Sequence, residues 1–189
     1  MDHLDAAQLR AGLDDVRAAP ADHGPVELIV ARPARGERVE ASSAELDPQV
    51  GLVGDMWSWR PASYTPDHAP HPDRQLTLMN VRFATLVGGI EGRALAGDQL
   101  YVDLDLSHAN LPAGSRLALG TAVIEVTAAP HTGFAKFRQR FGADAQALIN
   151  SPLGRELRLR GVNTRVVTAG RVQLGDQVHK VEPARPPTT

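Results

Sequence analysis

The stretch LYVDLDLS, residues 100–107, alternates apolar and polar side chains along its whole length. One set of alternate residues is apolar and comprises Leu100, Val102, Leu104 and Leu106. The intervening set comprises Tyr101, Asp103, Asp105 and Ser107. A period of two residues is that of a β-strand with one buried and one exposed face. The stretch therefore predicts a half-buried strand, and with it a core built on β-structure.

Further short strands are predicted on both sides of this stretch, separated by glycine and proline turns. They fall at 26–33, 38–41, 75–80, 116–128 around Gly120, 156–168 and 171–182. Short helices are predicted at 4–18, at 81–87 with Asn80 as the N-cap, and at 133–150 with a break at Gly142 and Asp144 as a second cap. Many short strands with few short helices predict a mainly β fold (α+β), in the form of a β-barrel.

The chain has 189 residues, of which 42% are hydrophobic, and this suits one domain with a single core. We expect an N-terminal helical extension over 1–23 and a barrel domain over 24–182. The proline-rich end, 183–189, is predicted to be a disordered tail. The segment 60–74 holds four prolines and is predicted to be a loop.

Composition excludes several classes of function. The chain has no cysteine, so disulfides, thiolate metal sites and thiol nucleophiles are absent. A net charge of −2 gives no general basic field, so nucleic acid is not an expected partner. No apolar run reaches membrane-spanning length, and the acidic N-terminus does not resemble a signal peptide. We therefore expect a cytoplasmic protein without a membrane partner.

A basic cluster in PHTGFAKFRQRFG, residues 130–142, is the densest group of residues suited to chemistry. His131 precedes the predicted helix, and Thr132 stands where an N-cap belongs. Lys136 and Arg140 are spaced i, i+4 and share one helix face. Together these residues predict an anion-binding corner for phosphate or sulfate. The alternative interpretation is an ordinary amphipathic helix with a solvated basic face.

Three further constellations have a functional and a structural interpretation. Arg158 and Arg160 in LRLRG would strengthen the basic corner, or they belong to an ordinary edge strand. Asp103 and Asp105 are either an acid–base pair or solvent-facing residues of their strand. A metal site in the proline-rich loop would use His and carboxylate ligands from Asp67, His68, His71 and Asp73.

Five segments, taken in order, resemble the motifs of the MOSC domain, named for the C-terminal domain of molybdenum cofactor sulfurase. The segments are GLVGD at 51–55, RQLTLMN at 74–80, AGDQLYVDLDLSHANLPAGSRLALG at 96–120, PHTGFAKF at 130–137 and RGVNTRVVTAGRVQLGD at 160–176. The resemblance covers roughly residues 24–182 and implies a β-barrel with short helices. It also implies molybdenum cofactor binding or sulfur transfer as a persulfide, chemistry linked in the family to a pyridoxal-phosphate-dependent sulfurase.

The sequence departs from the family motifs at two positions. After Gly54-Asp55 the family often has an arginine, and this chain has Met56. Where the family reads His-Thr-Gly-Cys, this chain has Phe134, and persulfide transfer requires a thiolate. The resemblance then implies a remaining site for the molybdenum cofactor or for another anionic or pterin-phosphate ligand. Its residues would be Gly54, Asp55, Arg74, His131, Thr132, Lys136 and Arg160. The alternative is a catalytically inactive barrel that serves as a binding module.

Overall fold

The computed structural model of the chain describes residues 3–61, 65–132 and 135–182. Within these ranges, seven strands close into a barrel, in the order β11-β7-β8-β9-β5-β6-β1 with β1 paired to β11. Their bounds are β1 Gly24–Ala31, β5 Leu76–Asn80, β6 Leu100–Val102, β7 Arg116–Leu119, β8 Ala122–Val126, β9 Val162–Thr168 and β11 Gln177–Val181. Neighbours are antiparallel except β5 and β6, which are parallel. The predicted barrel is confirmed.

The remaining strands lie beside the barrel. β2 (Val39–Ala41) pairs with β1, and a second, three-stranded sheet has the order β10-β3-β4. Its members are β3 Ser43–Asp47, β4 Gly51–Leu52 and β10 Gly170–Gln173. The helices of the described ranges are α1 Ala6–Ala11, α2 Leu13–Arg17, α3 Val81–Gly92, α4 Ala135–Asn150 and α5 Pro152–Glu156, with 3₁₀ turns at Met56–Trp59, Pro72–Arg74 and Arg93–Ala96.

Two hydrophobic cores flank the barrel wall. Leu100 and Val102 point into the barrel and pack in its interior with the other inward residues of the strands. Tyr101 lies in a second core with Phe83, Phe137 and residues of the N-terminal helices. Because helices cover this side of β6, the strand is buried on both faces at Tyr101. The expectation of a half-buried strand over 100–107 is therefore wrong at Tyr101, and it is wrong over 103–107, because β6 ends at Val102.

Several predicted elements differ in their limits. The helix predicted at 4–18 is split at Gly12 into α1 and α2, and α3 continues to Gly92. The strand predicted from 156 begins only at Val162, because α5 and a turn with positive φ at Arg158 occupy the preceding residues. The break at Gly142 (φ 92°) and the N-cap at Asn80 are confirmed.

Asp144 is predicted to cap the second part of the helix at 133–150. Its carboxylate accepts a hydrogen bond from the backbone N–H of Ala6, so it ties the N-terminal extension to α4. The predicted tail, 183–189, and Phe134 lie outside the described residues. Within the described part of the chain, every helix is too short or too polar to cross a membrane.

Candidate functional site: a basic cleft between two Gly-Asp turns

Two Gly-Asp turns deliver carboxylates into the protein interior. Gly54 and Gly97 have φ values of 88° and 92°, a conformation that glycine adopts with little strain. The residues that follow, Asp55 and Asp98, are 3% and 0% exposed. A buried carboxylate requires a charged partner and hydrogen bonds. In both turns the partner is an arginine.

Asp55 binds Arg32, at the end of β1. Its Oδ2 accepts from Arg32 Nε at 2.8 Å and its Oδ1 accepts from a terminal guanidinium nitrogen at 2.9 Å. Asp55 also accepts from the backbone N–H groups of Arg32 and Trp57. These four bonds occupy the carboxylate, so its role is to orient Arg32, which sequence reasoning missed.

Asp98 joins two of the predicted site residues. Its Oδ1 lies 2.8 Å from Nε2 of His131, and its Oδ2 accepts from Arg160 at 2.6 Å. Arg160 also donates to the carbonyl of Ala96 at 3.1 Å, and its guanidinium lies 5.6 Å from the centre of the Phe137 ring. His131 and Arg160 are therefore held together by a carboxylate that the sequence analysis did not select.

The ionisation of this group follows from its surroundings. Burial alone would raise the pKa of Asp98, but the charges and hydrogen bonds of Arg160 and His131 hold it well below its usual range. Burial, followed by the charge of Arg160, lowers the pKa of His131, and Asp98 opposes this shift. Near pH 7 the ring is therefore neutral and Asp98 is ionised.

The tautomer of His131 is fixed by this arrangement. An ionised carboxylate only accepts hydrogen bonds, so Nε2 of His131 carries the proton and Nδ1 keeps its lone pair. An aspartate that fixes the tautomer of a histidine is an arrangement also used in general-base catalysis. His131 can therefore accept a hydrogen bond or a proton through Nδ1.

A basic cleft of about 440 Å³ opens beside Gly97. It brings together three of the predicted residues, Thr132, Lys136 and Arg160, and also Arg140 of the predicted basic corner. Its other cationic lining residues are Arg32, Arg35, Arg38 and Arg60, and its acidic lining residue is Glu37. We call this space the basic cleft. The described part of α4 begins at Ala135, and residues 133–134 lie outside the described ranges, so the proposed N-cap at Thr132 stays a prediction.

Arg38 and Arg140 converge in this cleft without an acidic partner among the described residues. A Cβ atom at Gly97 would lie 3.6 Å from one terminal nitrogen of Arg140 and 3.7 Å from one of Arg38. Arg140 donates to the carbonyl of Leu95 at 2.6 Å, and Arg38 donates to that of Gly36 at 3.4 Å. Burial, followed by the charges of Arg38 and Arg160, lowers the pKa of Arg140.

A second cleft of about 460 Å³ lies on the other side of Arg160 and Thr132. His131 and Arg158 line it. Arg158 donates to the carbonyl of Leu111 and to Nδ1 of His108, so it does not share a face with Arg160 as a strand would require. Gly54 and Arg74 are not among the described residues that line either cleft.

The other predicted constellations serve local structure. Asp103 binds Arg82 through both carboxylate oxygens, and Asp105 accepts from the backbone N–H and hydroxyl of Ser107. In the proline-rich loop, His71 accepts from the backbone N–H of Asp73 through Nδ1. The described ranges hold no group of three or more metal-ligating side chains. The structure thus gives no support to a metal centre at His68 and His71.

The residues of the basic cleft suit the phosphate group of a molybdenum cofactor, but they do not suit its molybdenum–sulfur part. The arginines of the basic cleft match the charge of its phosphate. No thiolate is available to carry sulfur or to ligate molybdenum through sulfur, because the chain has no cysteine. The residues present therefore fit a phosphorylated ligand and do not fit a site built on a motif cysteine.

The closed barrel with its covering helices is a MOSC-type fold. Solved structures share it: the YuaD protein from Bacillus subtilis matches with a TM-score of 0.57 at 16% identity, over 84% of this chain and 97% of that one. YiiM from Escherichia coli matches with a TM-score of 0.53 at 20% identity, over 85% and 71%. YiiM from Geobacillus stearothermophilus matches with a TM-score of 0.57 at 15% identity, over 84% and 76%.

At these identities the likeness establishes the fold alone. No family model matches the sequence, and no curated protein matches it. Function must therefore be argued from the site itself.

Proposed function

We propose that the protein binds a small phosphorylated ligand in the basic cleft, without transferring sulfur through a thiol of its own. The observation that carries this proposal is the convergence of Arg38 and Arg140 on Gly97, although neither forms an ion pair within the described structure. Two like charges held close together in a partly buried space repel each other. An anion between them removes that repulsion and supplies acceptors for both guanidinium groups.

The paired arginines support the same proposal. Arg32 and Arg160 are held by Asp55 and Asp98, so they form walls of the cleft whose positions are set before a ligand arrives. Arg38 and Arg140 keep donors that are not used by carboxylates. Arginine offers a planar fork that binds two phosphate oxygens at once. The cleft thus combines a fixed frame with open donors.

A phosphorylated pterin is one ligand of this class. In the proposed binding mode the phosphate would contact Arg38 and Arg140, and the heterocycle would extend out of the cationic region. The cleft volume of about 440 Å³ is in the range of small-molecule sites. No sulfur chemistry of the protein enters, because the chain lacks the required residue.

The test is thermal unfolding of the protein with orthophosphate, molybdate, a pterin and the corresponding pterin phosphate. A ligand present at 100 times its Kd stabilises the folded state by about 2.7 kcal/mol, which raises Tm measurably. We expect orthophosphate and the pterin phosphate to raise Tm, and the unphosphorylated pterin to have little effect.

Substitutions of the lining residues test whether the ligand binds in the basic cleft. Lys136→Ala and Arg140→Gln should abolish the shift, whereas Arg138→Gln, an exposed cation on the same helix that does not line the cleft, should keep it. Lys136 has no hydrogen bond or ion pair within the described chain, so its removal should not disturb folding. A Tm shift that is unchanged in both Lys136→Ala and Arg140→Gln would remove the basic cleft as the binding site.

A further inference from the structure

The number of uncompensated charges in the basic cleft exceeds what one phosphate group can neutralise. Arg32 and Arg160 already have buried carboxylate partners. Five other cationic side chains line the cleft without an ion pair in the described structure: Arg35, Arg38, Arg60, Lys136 and Arg140. Among the described residues the single acidic lining residue is Glu37, so the cleft keeps about four positive charges.

A phosphomonoester carries about 1.5 to 2 negative charges near neutral pH, which leaves the cleft with a clear positive excess. Two phosphoryl groups carry enough charge to balance most of it. We infer that the ligand of this cleft carries at least two phosphoryl groups, as a diphosphate or a nucleoside diphosphate does. This inference rests on the proposed function, and it restricts the phosphorylated ligand to one with at least two phosphoryl groups.

The cationic side chains come from several segments of the chain, and this also favours a ligand with more than one phosphoryl group. Arg35 and Arg38 lie in the connection from β1 to β2, and Arg60 follows the 3₁₀ turn Met56–Trp59. Lys136 and Arg140 lie one helical turn apart on α4, with Cβ atoms about 6 Å from each other. Because the cations come from three separate segments, a ligand with several phosphate oxygens spread along its length contacts more of them than a single tetrahedral anion does.

Two of the three buried side-chain donors without a partner in the described structure belong to residues that line this cleft, and the third is Nε1 of Trp57. The Nε atoms of Arg38 and Arg160 are buried and have no hydrogen-bond partner in the described structure. Buried donors without a partner are costly, and bound acceptors commonly account for them. Two such atoms on two different lining residues are consistent with a ligand that offers acceptors at more than one point.

The test is isothermal titration calorimetry with orthophosphate, pyrophosphate and tripolyphosphate, at constant ionic strength and without divalent cations. We expect pyrophosphate to bind at least tenfold more tightly than orthophosphate, and tripolyphosphate no more weakly than pyrophosphate. The affinity for pyrophosphate should also fall more steeply with added salt. Arg35→Gln and Arg60→Gln should each weaken pyrophosphate binding several-fold more than orthophosphate binding.

The possible results distinguish a failure of the diphosphate inference from a failure of the proposed function. Equal affinities for orthophosphate and pyrophosphate, both lost in Arg140→Gln and kept in Arg138→Gln, would overturn the diphosphate inference and leave the proposed function standing. Absence of binding by all three anions would overturn both. Far-ultraviolet circular dichroism and Tm of each variant identify any loss of binding that is due to misfolding, and in that case Arg35→Lys and Arg60→Lys, which keep the charge, should restore discrimination.

Discussion

The carboxylate of Asp55 binds the guanidinium of Arg32 through two hydrogen bonds of 2.8 and 2.9 Å. The same guanidinium donates to the carbonyl of Gly97 at 3.0 Å, in the other Gly-Asp turn. Arg32 therefore links the two turns, and the Asp98 carboxylate next to Gly97 holds Arg160. One side of the basic cleft is built from these two ion pairs, so its geometry depends on carboxylates that do not face the ligand.

Asp55→Asn should destabilise the fold strongly. The substitution keeps the shape of the side chain but leaves the guanidinium of Arg32, which is 19% exposed, without its counter-charge. Removing one partner of a buried ion pair costs about 3 kcal/mol or more. The free energy of unfolding, measured by urea denaturation, should fall by this order.

The matched control for this experiment is Asp14→Asn. Asp14 pairs with Arg17 on the surface, and its side chain is 92% exposed. Exposed pairs contribute little to stability, so this variant should unfold almost as the parent protein does. If the two variants lost equal stability, the claim that Asp55 anchors a buried frame would be wrong.

Asp98 should make the protein sensitive to acid. Its pKa is lowered in the folded state, so it contributes stability above the pKa of an unfolded aspartate, about 3.9, and this contribution is lost as pH falls below that value. The pKa of His131 is also lowered, so His131 favours the folded state above about pH 6.5 and loses this effect as pH falls toward its folded pKa. Both contributions decline in acid.

The measurement is the free energy of unfolding of the parent protein and of Asp98→Asn at pH 7, 5 and 3.5. The variant should be less stable at pH 7, and its stability should decline less steeply between pH 5 and 3.5, because it lacks the carboxylate that must be protonated. In His131→Gln the free energy of unfolding should instead decline less steeply between pH 7 and pH 5. Parallel pH profiles for all three proteins would contradict the assignment.

The sequence predicts the barrel because most strands carry a local signal. The alternation that starts at Leu100 and the turn at Gly120 are readable from a few neighbouring residues, although the alternation continues to Ser107 and β6 ends at Val102. The segment 156–161 has the same alternation of Leu and Arg, yet it forms the end of α5 and a turn. An alternation with a period of two residues does not distinguish a strand from a turn. Here the segment forms a turn, and Arg158 and Arg160 bind residues that are distant in the sequence.

The basic cleft was predicted only in part, for a comparable reason. Lys136 and Arg140 share a helix face, which spacing reveals. Arg32, Arg38 and Asp98 meet them through the closure of the barrel, and no local spacing encodes that. A partial signal did exist: the dipeptide Gly-Asp occurs at 54–55, 97–98 and 175–176, and the first two copies place a buried carboxylate against an arginine. In the third copy Asp176 accepts from the backbone N–H of Gln173 instead.

Gly161→Ala should destabilise the protein and displace Arg160. Gly161 has a φ of 92°, and a Cβ atom there would collide with the carbonyl oxygen of Leu78. Gly175→Ala is the matched control, since Gly175 has a φ of 87° and open space around its Cα. Both variants carry backbone strain of about 1 kcal/mol, and only Gly161→Ala adds the collision.

Thermal unfolding measures this difference. Gly161→Ala should have a lower Tm than Gly175→Ala and should bind orthophosphate more weakly, because Arg160 precedes Gly161 and lines the basic cleft. Equal Tm values for the two variants would show that the contact with Leu78 relaxes without penalty, and that Gly161 does not position Arg160.

Phe134→Cys gives the chain a single thiol at the position where the resembling family has its cysteine. The flanking described residues, Thr132 and Ala135, both line the basic cleft. Cations near a thiol stabilise its thiolate, so we expect the pKa of the introduced thiol to lie below the ordinary value of about 8.5. The rate of alkylation by iodoacetamide as a function of pH reports this pKa directly, and no other cysteine interferes.

The control is Ala113→Cys, which places a thiol in an exposed turn before β7. Its alkylation should titrate near the ordinary pKa, and added pyrophosphate should leave it unchanged. In Phe134→Cys, pyrophosphate should slow alkylation and move its midpoint upward, because the anion neutralises the cations that stabilise the thiolate. The same midpoint in both variants, unaffected by pyrophosphate, would mean that position 134 does not face the basic cleft. In that case the aromatic residue there did not replace a sulfur ligand at the site proposed for the anion.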